Sequence, residues 1–128
     1  MSFAEKLETF TDHWQPHVIA ACNDNDVMVV KVRGEFVWHK HDDTDDFFLV
    51  LKGTLGIRLR DRTVTLNAGE LFVVPKGIEH RPVAREEVRL LLIEPPARRV
   101  RHGGANVEIG LRLSVLSHRR LRARGEHA

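Results

Sequence analysis

The chain has 128 residues, of which 42% are hydrophobic and 30% are charged, a balance that favours one soluble folded domain and excludes a largely disordered chain. No apolar run approaches the roughly 18 residues that a membrane-spanning helix needs, so we expect no membrane partner. Residues 1–96 carry 12 Lys or Arg and 16 Asp or Glu, whereas residues 97–128 carry 8 Arg and 2 Glu. The net charge of +2 therefore describes the last quarter of the chain and not its body.

The cysteine content bears on the cell compartment. Cys22 is the single cysteine, so the chain has neither a disulfide framework nor a cysteine-based zinc motif. The first residues include acidic side chains and no long apolar stretch, which does not fit a secretory signal. We therefore predict a cytoplasmic protein in a reducing environment.

The N-terminal region, residues 1–17, is predicted to contain a short helix and an entry segment, which is the stretch that leads from the helix into the β core. Ser2 and Glu5 form a capping-box pattern, and apolar residues such as Leu7 follow at helical spacing. These features predict a helix over about residues 3–12 that packs on the elements that follow it.

Residues 18–96 are predicted to be an all-β core. After a turn at residues 23–26, short β-branched or alternating runs follow one another, separated by turn residues such as Gly53, Gly69 and Gly77. The predicted strands are 27–32, 36–41, 46–51, 54–60, 63–66, 71–74 and 87–94. Many short strands at close, regular spacing indicate a sandwich or a barrel.

The tail, residues 97–128, differs in composition from the core. Apolar residues alternate with polar ones from Val107 to Val115, which predicts one further half-buried strand, and the residues after His118 are expected to be frayed or helical. Its arginines would favour polyanions in general. However, no aromatic residues interleave with these arginines, and the sequence contains no known nucleic-acid-binding motif. Nucleic acid is therefore not expected as a partner.

Three histidines and one aspartate form a candidate metal site. His39 and His41 are two apart on a predicted strand, so both imidazoles point the same way. Asp46 begins the next strand and His80 follows a turn, and in a small closed barrel these elements can converge on one interior point. Three imidazoles and a carboxylate suit one divalent transition metal such as Fe, Zn, Mn or Ni, with coordination positions left open.

The spacing of these residues resembles two sequence motifs of one family, the cupins. The first motif is Gly34-x4-His39-Lys40-His41-x4-Asp46-x6-Gly53, and the second is Gly69-x5-Pro75-Lys76-Gly77-Ile78-Glu79-His80. More narrowly, about residues 3–96 are similar to small bacterial single-domain cupins of the cupin_2 type, in the mannose-6-phosphate isomerase-like group. The resemblance implies a double-stranded β-helix, a jelly-roll barrel that makes residues 1–128 a single domain. It also implies a metal inside the barrel and often a homodimer, but no known substrate.

The chain departs from the family motifs at two positions near the site. Asp46 stands where the first motif usually has Glu, and the first interval of that motif, between Gly34 and His39, is one residue short. Because Asp is shorter by one C–C bond, about 1.5 Å, three outcomes stay open: the carboxylate binds the metal directly, reaches it only through a water, or misses it and belongs to the solvated acidic turn at residues 42–46. Ala84 stands where the second motif usually has Asn, which removes an amide near the site mouth.

Two classes of function stay open at this level. In the first, the protein is a metal-dependent enzyme, and oxygenation, isomerisation and decarboxylation of a small organic molecule are all compatible with the ligand set. No further carboxylate–histidine pair is evident as a general base. In the second, the protein is a non-catalytic module that binds or senses a small ligand.

Residues near the motifs, and the other histidines, have structural predictions. Trp38 precedes His39 on the predicted strand, so it is expected to face out of the barrel, and Glu79 is expected to face away from His80. The histidines that are expected to be exposed at the surface are His13, His17, His102, His118 and His127.

Overall fold

The computed structural model describes residues 1–96. The predicted strand between Val107 and Val115, together with the rest of the basic tail, lies outside the described residues. The described chain forms one helix and seven strands: α1 (Phe3–Leu7), β1 (His17–Cys22), β2 (Asn25–Glu35), β3 (Asp46–Lys52), β4 (Thr54–Leu59), β5 (Thr63–Asn67), β6 (Leu71–Val74) and β7 (His80–Glu94). No helix within residues 1–96 has the length and apolar character that crossing a bilayer requires.

The long strand β7 organises the sheet, in which every pairing is antiparallel. The strand order is β1-β2-β7-β3-β6, with β4 pairing with both β5 and β7. On one side β7 follows β2 over most of its length. On the other side its first residues, His80–Val83, pair with β4, and its later residues, 89–91, pair with β3. Because β7 changes partner, the sheet curls around an interior.

The interior is filled by apolar side chains from alternating strand positions. Val30 and Val32 of β2, Phe48 of β3, Ile57 of β4 and Leu90 of β7 are all buried in this main core. Successive side chains of a strand point to opposite faces, so residues such as Val29 and Leu91 lie on the outer face of the same strands. There α1 covers them, and Leu7 is buried against both in a second cluster.

The helix and the first strands differ from the sequence prediction. The helix ends at Leu7, with Glu8 as C-cap, and does not reach residue 12. Strand β1 was not predicted, because most of its side chains are exposed and it lacks apolar alternation. It forms a hairpin with β2 through Asn23 and Asp24, whose φ angles of 51° and 66° fit the type of two-residue turn that asparagine and aspartate favour.

Two strand boundaries also need correction. Residues 36–41 do not form a continuous strand, since β2 ends at Glu35 and only His39 makes an isolated bridge, to His80. Strand β7 begins at His80, seven residues earlier than predicted at 87. Pro82, which argues against a strand, lies within it: it is the register partner of Ile57 on β4, and its carbonyl accepts a hydrogen bond from the Phe36 N–H at 3.0 Å. The proline ring removes a donor from the ladder but leaves this acceptor in place. The turn glycines Gly53, Gly69 and Gly77 all have positive φ, as predicted.

Candidate metal centre

Backbone hydrogen bonds bring the two motifs together at one end of the barrel. The N–H of His39 donates to the carbonyl of His80 at 3.1 Å, and the N–H of His80 donates back to the carbonyl of His39 at 2.9 Å. The N–H of Gly77 donates to the carbonyl of His41 at 2.7 Å. Asp46, the first residue of β3, faces inward at the same level. The two histidine-bearing segments are therefore fixed to each other before any ligand binds.

The four predicted ligands meet at one carboxylate oxygen. Asp46 Oδ2 lies 2.7 Å from His80 Nε2, 3.4 Å from His41 Nε2 and 3.9 Å from His39 Nε2. Ligand atoms of His39, Asp46 and His80 all lie within 4.8 Å of one another, and this cluster could hold a metal ion. His41 lies outside that group of three and reaches it through Asp46.

The orientation of two imidazoles is set by backbone carbonyls. His39 Nδ1 lies 2.9 Å from the carbonyl oxygen of Val37, and His80 Nδ1 lies 2.9 Å from that of Ile78. A carbonyl can only accept, so each Nδ1 carries a proton and each Nε2 faces Asp46. Hydrogen bonds of this kind are what orient metal-binding imidazoles in proteins.

The charges in the site favour a cation at its centre. Burial raises the pKa of Asp46, but hydrogen bonds from His41 and His80 outweigh it and hold that pKa far below its usual range, so the carboxylate is ionised. The hydrogen bond to Asp46 raises the pKa of His41 against the opposing effect of burial, with smaller contributions from the charges of Asp46, Glu94 and Asp42. His80 has an oxygen acceptor at each ring nitrogen, so Nε2 needs either a proton or a metal ion beside it. This donor set fits a divalent transition metal.

A small cavity of about 50 Å³ adjoins the cluster, and His39, His41 and Asp46 are among the residues that line it. Its other walls are mainly apolar, but they include Trp14 from the segment before β1 and Glu94 from the end of β7. Sequence reasoning missed both residues. Trp14 lies in the segment before the predicted β core and Glu94 at the end of the predicted strand 87–94, and no sequence signal connects either of them with the histidines.

The remaining residues singled out in the sequence lie away from the cluster. Trp38 faces outward, as predicted, and packs under Arg60, whose Cζ lies 3.8 Å from the ring centroid. Glu79 turns away from His80 and pairs with the same arginine at 2.9 Å.

Two surface histidines lie within hydrogen-bond distance of carboxylates and are only partly exposed. His13 pairs with Glu87 at 2.9 Å, and His17 pairs with Asp12 at 3.0 Å. The predictions for the histidines at 102, 118 and 127 lie outside the described residues.

The fold and the sequence together identify the family. Residues 26–94, more than half of the chain, match the cupin domain of the Cupin_2 family. The chain therefore belongs to this family, and the predicted all-β jelly-roll barrel with a short N-terminal helix is confirmed. The narrower mannose-6-phosphate isomerase-like group stays a prediction.

Three relatives show how far this likeness extends. A cupin-2 domain containing protein from Shewanella frigidimarina NCIMB 400 has a solved structure with 53% sequence identity and a TM-score of 0.73, covering 74% of this chain and 93% of that one. The uncharacterized protein YdbB of Bacillus subtilis (strain 168) is 41% identical over 64 residues, 49% of this chain and 57% of YdbB. The 3-hydroxyanthranilate 3,4-dioxygenase of Brucella anthropi is 31% identical over 83 residues, 59% of this chain and 46% of the relative. The matches thus span about half the length of the two curated relatives.

Proposed function

We propose that the protein binds one divalent transition metal through His39, His41, His80 and Asp46, and that a small organic molecule binds beside it in the barrel. The observation that carries the proposal is the approach of three imidazole Nε2 atoms to one buried, ionised carboxylate oxygen. Iron, zinc, manganese and nickel all suit such ligands. When bound, the metal would supply a Lewis acid or a site for oxygen chemistry.

The cavity supports the small-molecule part of the proposal. Its volume of about 50 Å³ exceeds the 10–15 Å³ that one water needs and is far below the 300–1,000 Å³ of sites for drug-sized ligands. The ligand, or the part of it that enters the barrel, is therefore small. Because His39, His41 and Asp46 line the cavity, a molecule bound there would lie next to the proposed metal ligands.

We favour an enzyme, with oxygenation as the first reaction to test. The partial likeness to a relative named as a dioxygenase supports this choice, as does the aromatic wall of the cavity. A non-catalytic binding module with the same metal is the alternative. Tight binding of a small molecule without turnover, in protein that carries its metal, would decide for the module.

The decisive experiment is elemental analysis of gently purified protein, without nickel affinity steps. We expect a single equivalent of a transition metal per chain in the native protein, lost in His41→Ala and in His80→Ala. His17→Ala is the matched control, since His17 pairs with Asp12 at the surface, and it should keep its metal. Native protein that holds no metal, even after reconstitution, would overturn the proposal. The metal found also directs the assay, because iron points to oxygen chemistry and zinc or manganese to hydrolytic or isomerase chemistry.

Three further properties are proposed with the function. The whole chain, residues 1–128, is one cupin domain in which residues 97–128 form a divergent basic tail. The protein acts in the cytoplasm, and it forms a homodimer through an outer sheet face.

A further inference from the structure

A groove of about 560 Å³ lies on the outside of the barrel, across strands β4, β5 and β7. Among the described residues, it shares no lining residue with the cavity beside the metal centre. We propose that this groove is a second binding site, which holds the phosphate group of a small molecule over Gly56, between Arg58 and Arg85. Its volume lies within the range of about 300–1,000 Å³ that small-molecule sites occupy.

The first argument is Gly56, because the fold itself does not require a glycine at this position. Gly56 pairs with Thr65 of β5 and with Val83 of β7, and neither pairing has a bulge there. Its φ is not positive, and a Cβ would meet its nearest neighbours, atoms of Thr63 and Val83, at 3.7 Å, which is an ordinary contact. A glycine inside a strand weakens the strand and often marks a place where a ligand approaches closely. Gly56 therefore leaves an open floor in the groove.

The second argument is the position of two arginines on either side of this floor. Arg58 lies two residues from Gly56 along β4, and Arg85 lies two residues from Val83 along β7, in the opposite direction because the strands are antiparallel. Strand geometry places the two Cα atoms about 14 Å apart, with Gly56 and Val83 midway between them. An extended arginine reaches roughly 6–7 Å from its Cα, so both guanidiniums can bind one group that lies over Gly56.

Both arginines are available to a ligand. Within residues 1–96, the side chains of Arg58 and Arg85 are exposed and have no hydrogen bond, ion pair or ring contact. Arg81, the register partner of Arg58, differs, because its Nε donates to the Phe36 carbonyl at 2.8 Å and its Nη2 pairs with Glu35. A ligand that binds Arg58 and Arg85 therefore displaces no internal contact of the described chain.

The donors around the floor favour phosphate over carboxylate. The hydroxyls of Thr63 and Thr65 also line the groove, and neither has a partner among the described residues. A phosphate monoester has three acceptor oxygens and about 1.5–2 negative charges, whereas a carboxylate has two oxygens and one charge. Arginine binds the oxygens of phosphate in bidentate fashion. Two guanidiniums and two hydroxyls therefore match the acceptors and the charge of a phosphate better than those of a carboxylate.

Two glutamates also line the groove and oppose an anion. Glu87 lies 2.9 Å from His13 Nε2 and 3.4 Å from Arg89 Nε, so its charge is partly offset. Glu86 is exposed and has no such contact within residues 1–96. Its charge should weaken phosphate binding, and removal of this charge should therefore act in the opposite direction from removal of an arginine.

The test is an NMR titration of isotope-labelled full-length protein with inorganic phosphate at constant ionic strength. Amide shifts are followed residue by residue, because the arginines of the tail also attract phosphate. We expect saturable shifts at Gly56, Thr65 and Val83, with a weaker response to acetate. Arg58→Gln and Arg85→Gln should each lower the phosphate affinity by at least about fivefold.

Arg62→Gln is the matched control, because Arg62 is exposed in the turn between β4 and β5 and does not line the groove. It should bind phosphate as the native protein does, whereas Glu86→Gln should bind it more tightly. Gly56→Ala should melt no lower than the native protein, since alanine is better tolerated than glycine inside a strand. It should nevertheless bind phosphate at least about threefold more weakly, because its methyl group occupies the floor.

The absence of saturable shifts around Gly56 would overturn the proposal, and so would native affinity in Arg58→Gln and Arg85→Gln. Equal affinity for acetate and phosphate would refute the assignment to phosphate. A Gly56→Ala protein that unfolds, or that binds phosphate like the native protein, would refute the role of the floor. His41→Ala should keep the phosphate affinity, which separates this outcome from that of the proposed metal site.

Discussion

At the scale of single residues, the carboxylate of Asp46 is the point at which three imidazoles meet. It is ionised although it is buried, because His41 and His80 hydrogen bond to it. The aspartate is one carbon shorter than the glutamate usual in the motif, yet its Oδ2 lies within 3.9 Å of all three Nε2 atoms. The short side chain therefore reaches the cluster, and whether it binds the metal directly remains a proposal.

Asp46→Asn tests the role of the charge. The amide keeps the size of the side chain but removes the negative charge, so we expect metal affinity to fall by roughly 10–100-fold, as for other supporting groups of metal sites. Asp46→Glu retains the charge and should lose much less. Competition against a chelator of known affinity measures both. An Asp46→Asn protein with native affinity would show that the imidazoles bind the metal without this carboxylate.

Gly53 occupies a turn in which any side chain would be strained. Its φ is +96°, and a Cβ there would lie 3.0 Å from the Glu87 carbonyl oxygen and 3.1 Å from Val88. Gly53→Ala adds this backbone clash to the strain of a positive φ, so we expect it to destabilise the fold by about 2–3 kcal/mol. Gly69 has a similar φ of +88° with open space around it, and Gly69→Ala should cost only about 1 kcal/mol. Urea unfolding compares the two, and equal losses would rule out the contact as the cause.

At the scale of elements, the N-terminal segment has two roles. The helix α1 covers the outer face of the sheet, where Leu7 packs with Val29 and Leu91. The segment after it carries Trp14 into the barrel interior. Between them, buried Lys31 of β2 donates from Nζ to the Phe10 carbonyl at 2.7 Å, which fixes the segment to the sheet. Both the outer cluster and the cavity wall thus depend on residues before the first strand.

The contribution of α1 can be measured with a matched pair of substitutions. Leu7 is 3% exposed and Phe3 is 41% exposed, although both belong to the same short helix. Leu7→Ala should lower the free energy of unfolding by about 2 kcal/mol, the low end of the usual range, because the site lies at the edge of the molecule. Phe3→Ala should change it little. Denaturant unfolding reports both values, and a larger effect at Phe3 would contradict the packing described here.

The His13–Glu87 pair joins the N-terminal segment to β7 and gives a pH-dependent prediction. The hydrogen bond from His13 lowers the pKa of Glu87 below its ordinary value of 4.5, with a smaller contribution from Arg89. A carboxyl whose pKa is lower in the folded state stabilises the fold above its unfolded pKa and loses this effect as the pH falls. The pair is partly exposed, so the effect is small.

Glu87→Gln should therefore melt slightly below the native protein at pH 7, and the difference should disappear as the pH falls below 4.5. Melting curves over this pH range measure it. Glu86→Gln, at an exposed neighbouring position, serves as the control. A difference between Glu87→Gln and the native protein that grows in acid would contradict the assigned sign.

At the scale of the whole molecule, assembly is the property that the sequence leaves most open. The family resemblance predicts a homodimer through an outer sheet face, which would have a mass near twice the 14.7 kDa of one chain. Light scattering of the full-length protein measures this mass directly. A monomer over the working concentration range would refute the prediction without affecting the metal site, whose four proposed ligands come from one chain.

The sequence by itself determined the fold class, and it predicted most of the strands and a candidate ligand set, because these depend on local spacing. Alternating apolar residues marked most strands, and positive-φ glycines marked the turns. His39, His41, Asp46 and His80 could be found because the two motifs have fixed spacing. Local propensity failed where tertiary contacts decide. Strand β1 is mostly exposed and has no apolar pattern, and β7 runs through Pro82, where it pairs with β4 and accepts a hydrogen bond from the Phe36 N–H.

Only the tertiary structure decided what surrounds the candidate metal ligands. Trp14 and Glu94 are 80 positions apart in the sequence and meet in one cavity because the sheet closes on itself. Neither residue belongs to a motif, and the inward direction of each follows from strand register and one left-handed backbone conformation. Local patterns therefore predict which atoms can bind a metal, whereas closure of the barrel determines which molecule can approach it.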